Sequence, residues 1–325
     1  MCEIKPLHLS SFCSRKKCVK NTFLKPIVER GIQTHGFCGR AWLRHHGFQS
    51  RFYPTSQGRV HTLEAVGTGA LPPVLVVHGF GASSVDYMPL LLRFLKHTRK
   101  VVGIDLIGHG LSDRPHHTSL GHEQLRGVFE AITAAMPKPF LLFGNSLGGL
   151  VAMRYASEHP KHVAALLVSS PAGAPMSAAG EKELFRKLKI DNYKDARDLI
   201  DVFFIGLPWI KPFYALGMLS IFQTPHLRAI VEKTRAEDFL SSQELSRLSM
   251  PVFFSWGQEE RLLPQECFMF FKEHLPVHAH IETPEGYGHC AFMEKPDALM
   301  FDMLRFFSTH FSGDFTDGSG ARKVA

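Results

Sequence analysis

Phe140-Leu141-Leu142-Phe143-Gly144-Asn145-Ser146-Leu147-Gly148-Gly149-Leu150 is the stretch whose reading decides what kind of chain this is. Four bulky apolar residues in a row, ended by glycine, read as a strand buried on both faces. The segment 149–159 behind them is compatible with a helix. Between the two, Gly144, Ser146 and Gly148 give the pattern G-x-S-x-G. In a sharp strand-to-helix turn the residues two before and two after the serine lie so close to other backbone that glycine is the least hindered choice. A plain glycine-rich turn could carry the same letters, but the flanking strand and helix make Ser146 a candidate nucleophile.

Similar signals extend outward from this point. Arg59 to Val66 reads as an early strand, Val74-Leu75-Val76-Val77 as a buried one ended by His78-Gly79, and Val101-Val102-Gly103-Ile104 as another before Asp105. Leu166-Leu167-Val168 is a further strand signal, and 121–136 is helix-compatible. Strands alternating with helices predict an α/β class, with a mostly parallel central sheet covered by helices on both faces. The body is expected to begin at Arg51, after a basic, flexible leader over 1–50, and its first part to run through 171. From Ala172 to Met250 the alternation stops and bulky residues such as Phe185, Phe203, Phe213 and Phe222 accumulate, which reads as an inserted helical lid. The second part of the core, 251–311, carries strand signals at Val252 to Trp256 and near His278 to Ile281, then a helix from Pro296 to about Phe311. The tail, 312–325, is rich in Gly, Ser and Asp and reads as frayed.

A serine hydroxyl is a weak nucleophile at neutral pH and requires a base to take its proton and an acid to orient that base. Of the nineteen histidines, His289 in Gly286-Tyr287-Gly288-His289 follows the last strand signal and precedes a loop and helix; His274 and His310 sit within helix-like runs. The acid is sought in Trp256-Gly257-Gln258-Glu259-Glu260-Arg261, where two adjacent carboxylates follow a strand and only one can face the imidazole. An oxyanion hole needs two preorganised N–H groups. Leu147, after the nucleophile, supplies one, and Phe80, in the loop opened by His78-Gly79, supplies the other. His78 is expected to act as a structural hydrogen-bonder, and the turn-rich Asp105 to Asp113 has no catalytic role.

Composition narrows the class. Hydrophobic residues make up 45% and charged residues 21%, which excludes wholesale disorder and collagen-like repeats. No apolar run has the length of a membrane-spanning helix. Six cysteines without a close C-x-x-C pair point to neither a zinc site nor a disulfide framework, and so to a reducing compartment. No cofactor and no metal is called for. The net charge of +7 is localised: residues 1–60 hold eleven Lys/Arg and two acids, leaving 26 basic against 28 acidic side chains in the rest. A near-neutral body does not suit nucleic acid. The leader suits peripheral contact with an anionic membrane in an otherwise cytoplasmic protein, and its acid-poor composition is also that of a mitochondrial transit peptide.

HGFGAS at 78–83, DLIGHGLSD at 105–113, GNSLGG at 144–149, WGQEERLLP at 256–264 and GYGHCAFMEKP at 286–296 together resemble the α/β-hydrolase superfamily, in its lidded esterase, lipase and C–C hydrolase branches. The resemblance covers roughly 51 to 311. It implies the α/β-hydrolase fold and a triad ordered nucleophile, acid, histidine. In such relatives the loop reads W-G-x-x-D with the aspartate as acid, so the resemblance selects Glu260 over a solvated Glu259, with an extra methylene for His289 to accommodate. A serine at the elbow sets the chain apart from epoxide and haloalkane hydrolases. Acyl transferase members carry H-x-x-x-x-D, and Glu294 stands at that spacing, which favours hydrolysis. The implied activity is cleavage of a small-molecule apolar ester. C–C bond hydrolysis of ring-fission products and a non-catalytic, lidded binding protein are the alternatives. The apolar side chains of the insert, with Phe204 and Trp209 foremost, are expected to line the substrate cleft and to favour medium or long acyl chains.

Overall fold

Continuous apolar runs in this chain become the middle of a sheet, and polar or alternating ones its edges. A computed structural model of the protein describes residues 36–114, 122–206 and 211–311. Among them eight strands form one sheet: β1 (Gln49–Thr55), β2 (Gly58–Val66), β3 (Val74–Val77), β4 (Lys100–Ile104), β5 (Phe140–Ser146), β6 (Val163–Pro171), β7 (Val252–Ser255) and β8 (His280–Glu282). Their spatial order is β1-β2-β4-β3-β5-β6-β7-β8. Strand β2 runs antiparallel to both its neighbours, and every other pair is parallel. All four residues of β3 and all seven of β5 are buried, as central parallel strands require. β1 and β8 are the edges, β1 mostly exposed and β8 largely half-buried.

The edge strand β1 was not legible as a strand, because Gln49-Ser50-Arg51 offers neither an apolar run nor a buried face. Pairing with β2 through the two-residue turn at Ser56-Gln57 creates it. The leader is also shorter than expected. A helix, α1, occupies 36–45, and Leu43 and Phe48 are fully buried, which fastens this end of the leader to the body. The rest of the leader, 1–35, and the tail from 312 lie outside the described residues.

Helices cover the sheet. α2 (Met88–His97) buries Leu90, Leu91 and Phe94 and packs beside α12 (Pro296–His310). α3 (His122–Ala134) and α4 (Leu147–Glu158) pack together, α4 resting on β5 and β6. Between β6 and β7 the chain forms α5 (Ala178–Leu188), α6 (Tyr193–Phe203), α7 (Lys211–Phe222), α8 (Pro225–Lys233) and α9 (Ser242–Ser246). α6 shows how sequence directs this insert. Asn192 caps it by accepting the N–H groups of Lys194 and Asp195, and Ala196, Leu199, Ile200 and Phe203 bury one face at helical spacing against α7. α10 (Gln265–His274) and the short α11 (Ala291–Glu294) complete the body.

Candidate active site

Strand β5 carries straight into Ser146, and α4 begins at the next residue. The turn this demands puts Ser146 at φ 53°, ψ −123°, a conformation L-residues rarely adopt. Glycines permit it. A methyl group on Gly144 would lie 2.3 Å from the Gly148 carbonyl oxygen, and one on Gly148 would lie 2.2 Å from that of Val77. The reading of Gly144 and Gly148 as clearance for an elbow thus has a direct steric basis.

Three loops converge on this turn. Glu260, after β7, and His289, after β8, meet with Nδ1 of the imidazole 2.8 Å from Oε2, their side chains only 2% and 4% exposed. The other carboxylate oxygen accepts the N–H groups of Leu262 at 2.8 Å and Leu263 at 3.1 Å. These bonds hold the longer side chain in place of the aspartate that the resemblance led one to expect. Burial alone would raise the Glu260 carboxyl, but the adjacent imidazole and the Leu263 N–H hold it below the usual carboxylate value. Glu259 does not stand in solvent as expected. It is half-buried, with Oε2 enclosed and unpartnered among the described residues.

The candidate nucleophile and base are joined through a neighbouring residue. Asn145 donates from Nδ2 to the His289 carbonyl at 3.1 Å and to the Ser169 carbonyl at 2.8 Å. Its Oδ1 accepts from the Tyr87 hydroxyl at 2.7 Å, and that hydroxyl in turn accepts the Gly79 N–H at 3.1 Å. Tyr87, wholly buried, also stacks on Phe292 at 3.8 Å, three residues past the histidine. One buried network therefore spans the elbow, the oxyanion loop and the histidine loop. Sequence reading passed over Tyr87 and Asn145, since only their burial and mutual contact mark them out. Among the described residues no hydrogen bond joins Ser146 Oγ to His289 Nε2, and the only polar side-chain contact of the imidazole is with Glu260.

Phe80 and Leu147 are the residues expected to supply the oxyanion N–H groups. Neither donates a hydrogen bond among the described residues. His78 supplies the reason for the first. Burial lowers its pKa and keeps the ring neutral; Nε2 accepts the Leu106 N–H at 2.9 Å, so the proton sits on Nδ1, which donates to the Gly79 carbonyl at 2.7 Å. In a trans peptide the carbonyl and the next N–H point oppositely, so fixing the Gly79 oxygen aims the Phe80 N–H. The loop lies against the elbow: a methyl on Gly79 would be 3.2 Å from Ser146 Cβ.

The insert covers these loops. Phe203 stacks on His289 with ring centroids 5.4 Å apart, and Phe222 meets Phe80 edge-on at 5.3 Å. A methyl group on Gly81, at φ 74°, would lie 2.6 Å from the Phe222 ring. Phe204 is buried between Phe203 and Tyr214, and it is Phe203 that touches the imidazole. Trp209 lies outside the described residues. Cys290, beside the histidine, has its thiol pushed well up by burial and by the charges of Glu260 and Glu294, which removes it as a nucleophile. Among the described residues no group of three or more His, Cys, Asp or Glu could hold a metal ion.

With this geometry in view, comparison places the molecule in a class. The chain belongs to the alpha/beta hydrolase family, whose model matches residues 74–302. Among its relatives, an Oryza sativa subsp. japonica protein named "Probable 1-acylglycerol-3-phosphate O-acyltransferase" is 25% identical, over 92% of this chain and 80% of its own length. A pimeloyl-[acyl-carrier protein] methyl ester esterase of Xanthomonas campestris is 28% identical over 75% of this chain and 97% of its own. Monoacylglycerol lipase ABHD6 of Bos taurus is 23% identical over 76% and 78%. A crystal structure of a membrane phospholipase A superposes with a TM-score of 0.74 at 22% identity, covering 91% of this chain and 96% of that one, a likeness of fold.

Proposed function

We propose that this hydrolase cleaves carboxylic esters with medium or long acyl chains through an acyl-enzyme on Ser146. The observation that carries the reading is the 2.8 Å contact between buried Glu260 and His289, joined through Asn145 to a serine held in a strained turn. Glu260 accepts a hydrogen bond from the Nδ1–H, which leaves the Nε2 lone pair to take the Ser146 proton as Oγ attacks the ester carbonyl. The Phe80 and Leu147 N–H groups receive the oxyanion, and Glu260 stabilises the imidazolium. The imidazolium then protonates the departing alcohol, and a water activated by the same imidazole releases the acid. Lipase and esterase relatives support an apolar ester as substrate. The apolar insert, with Phe204 and Trp209 in the part assigned to the acyl chain, supports length preference.

A second reading concerns where the substrate is met. Helix α1 exposes Phe37 and Trp42, 69% and 54% accessible, as well as Arg44, and its Gly39 lies close to Val85. Aromatic and basic side chains on one short helix suit an anionic lipid surface, which the basic leader would reinforce.

A fluorophosphonate probe followed by a panel of p-nitrophenyl esters tests the first reading. The expected result is one adduct on Ser146, and specificity that climbs with chain length by at most about fourfold per methylene until the pocket fills. A flat profile or a preference for acetate would overturn the length reading, and turnover of vinylogous ring-fission diketones in place of esters would assign the chain to C–C hydrolysis. For the second, W42E combined with F37E is expected to weaken sedimentation with phosphatidylglycerol vesicles. Unchanged sedimentation would refute it.

A further inference from the structure

Glu294 is the last residue of α11, five positions beyond His289. Its carboxylate does not face the serine. Oε1 accepts the N–H groups of Ile205 and Gly206, each at 3.0 Å, and Oε2 accepts that of Ile205 at 3.2 Å. These two N–H groups belong to the segment that leaves the C-terminal end of α6, where the chain has stopped making helical bonds to its own backbone. A second bond runs alongside: the Cys290 N–H donates to the Phe203 carbonyl at 3.3 Å. Close packing adds to it, since a methyl on Gly288 would lie 3.1 Å from the Ile205 side chain. The end of α6 is thus clamped to residues 288–294, and the clamp holds Phe203 flat against the His289 ring.

We propose that Glu294 is a latch: a positioning residue that fixes the insert to the histidine loop and so sets the Phe203 ring, and through it the imidazole. This rests on the reading of His289 as the base. Bonds to a carboxylate are stronger than neutral ones, and three of them on two adjacent N–H groups specify one position of the segment. His289 can otherwise turn about its side-chain bonds, because Glu260 restrains only Nδ1. Phe203, packed in parallel, removes that freedom. Moving 203–206 would free the ring, and misplacement on the ångström scale is costly to proton transfer.

The test is steady-state hydrolysis of p-nitrophenyl acetate, whose acyl group is too short to need the insert for binding. E294A should lower kcat by about tenfold with KM little changed, the pattern of a defect in the reacting geometry. E294Q keeps a carbonyl acceptor and should recover most of the loss. F203L should reproduce the E294A defect, and the double variant should be no worse than the poorer single one. Hydrogen exchange at the Ile205 and Gly206 amides should quicken in E294A. Wild-type kcat in E294A despite faster exchange would overturn the latch, as would losses that add in the double variant. Should E294A fail to fold, E294L, which fills the same space but offers no acceptor, takes its place in the cycle with F203L and decides by the same criterion. An active S146A would instead overturn the underlying site, a result distinct from failure of the latch.

Discussion

Ser146 is small, strained and nearly enclosed, and the structure around it is built of groups that hold other groups still. Glu260 illustrates this. Its two oxygens are assigned, one to the imidazole and one to two backbone N–H groups, so each serves a separate purpose. E260Q is expected to lower kcat by a factor on the order of 10³ to 10⁴, since it disturbs the tautomer and removes the charge opposite the imidazolium. E259Q should change kcat by a few-fold at most; equal losses in both would mean that the acid lies elsewhere. Shortening to E260D would draw the carboxylate back from Leu262 and Leu263, so the more frequent side chain is not expected to improve this site. Tyr87 is the companion case. Y87F leaves the Gly79 N–H and one lone pair of Asn145 unpaired in a dry interior, at a cost on the order of 2 kcal/mol. Urea unfolding should register that loss, with kcat lowered alongside it, and an unchanged midpoint would show that water replaces the hydroxyl freely.

The elements that carry these side chains were legible in the sequence to different degrees. Strands β3, β4 and β5 announce themselves as apolar runs ended by glycine or aspartate because they are buried on both faces. β1 does not, since an edge strand owes its conformation to its partner. Ser146, His289 and Glu260 could be marked as candidates from spacing and resemblance, and the structure brings Glu260 against His289. Asn145, Tyr87, Phe203 and Glu294 could not, because each acts through a contact between segments distant in sequence. Glu294 stood at a position examined for another chemistry, and only the structure shows its carboxylate on the backbone of 205–206. The oxyanion loop gives an element-scale expectation. H78A removes both the Gly79 and the Leu106 bonds and frees the Gly79–Phe80 peptide to rotate. It should lower kcat on the order of a hundredfold with a smaller effect on KM. A change confined to KM would show that His78 serves binding and leaves the hole intact.

For the whole molecule, the buried titratable groups set the direction of its pH dependence. Burial lowers His78, and lowers His109 to about 3, so the fold favours their neutral rings and the unfolded chain binds more protons. Stability from these two is present above about 6.5 and is lost as pH falls below it. Burial alone would raise Asp105, but the hydrogen bonds from the His61 ring and the Leu111 N–H bring it down to about 2. Glu244 and Glu260 are likewise held below their ordinary value. Carboxylates lowered in this way stabilise above their unfolded values and cease to do so as pH drops through the folded ones. The free energy of unfolding should therefore decline gently from about pH 6.5 and steeply below about pH 4.5. D105N should flatten the acid part of that decline while costing on the order of 3 kcal/mol at neutral pH, because it leaves the buried His61 without its partner. Stability that rose on acidification would contradict this.

The hydrolysis of a p-nitrophenyl ester by S146A, set beside the wild type at equal folded concentration, tests the central claim most directly. Removing one oxygen from a residue that packs little should leave the melting temperature nearly unchanged and lower turnover by a factor on the order of a million. Turnover in the purified, folded variant at the wild-type rate would mean that Ser146 is not the nucleophile.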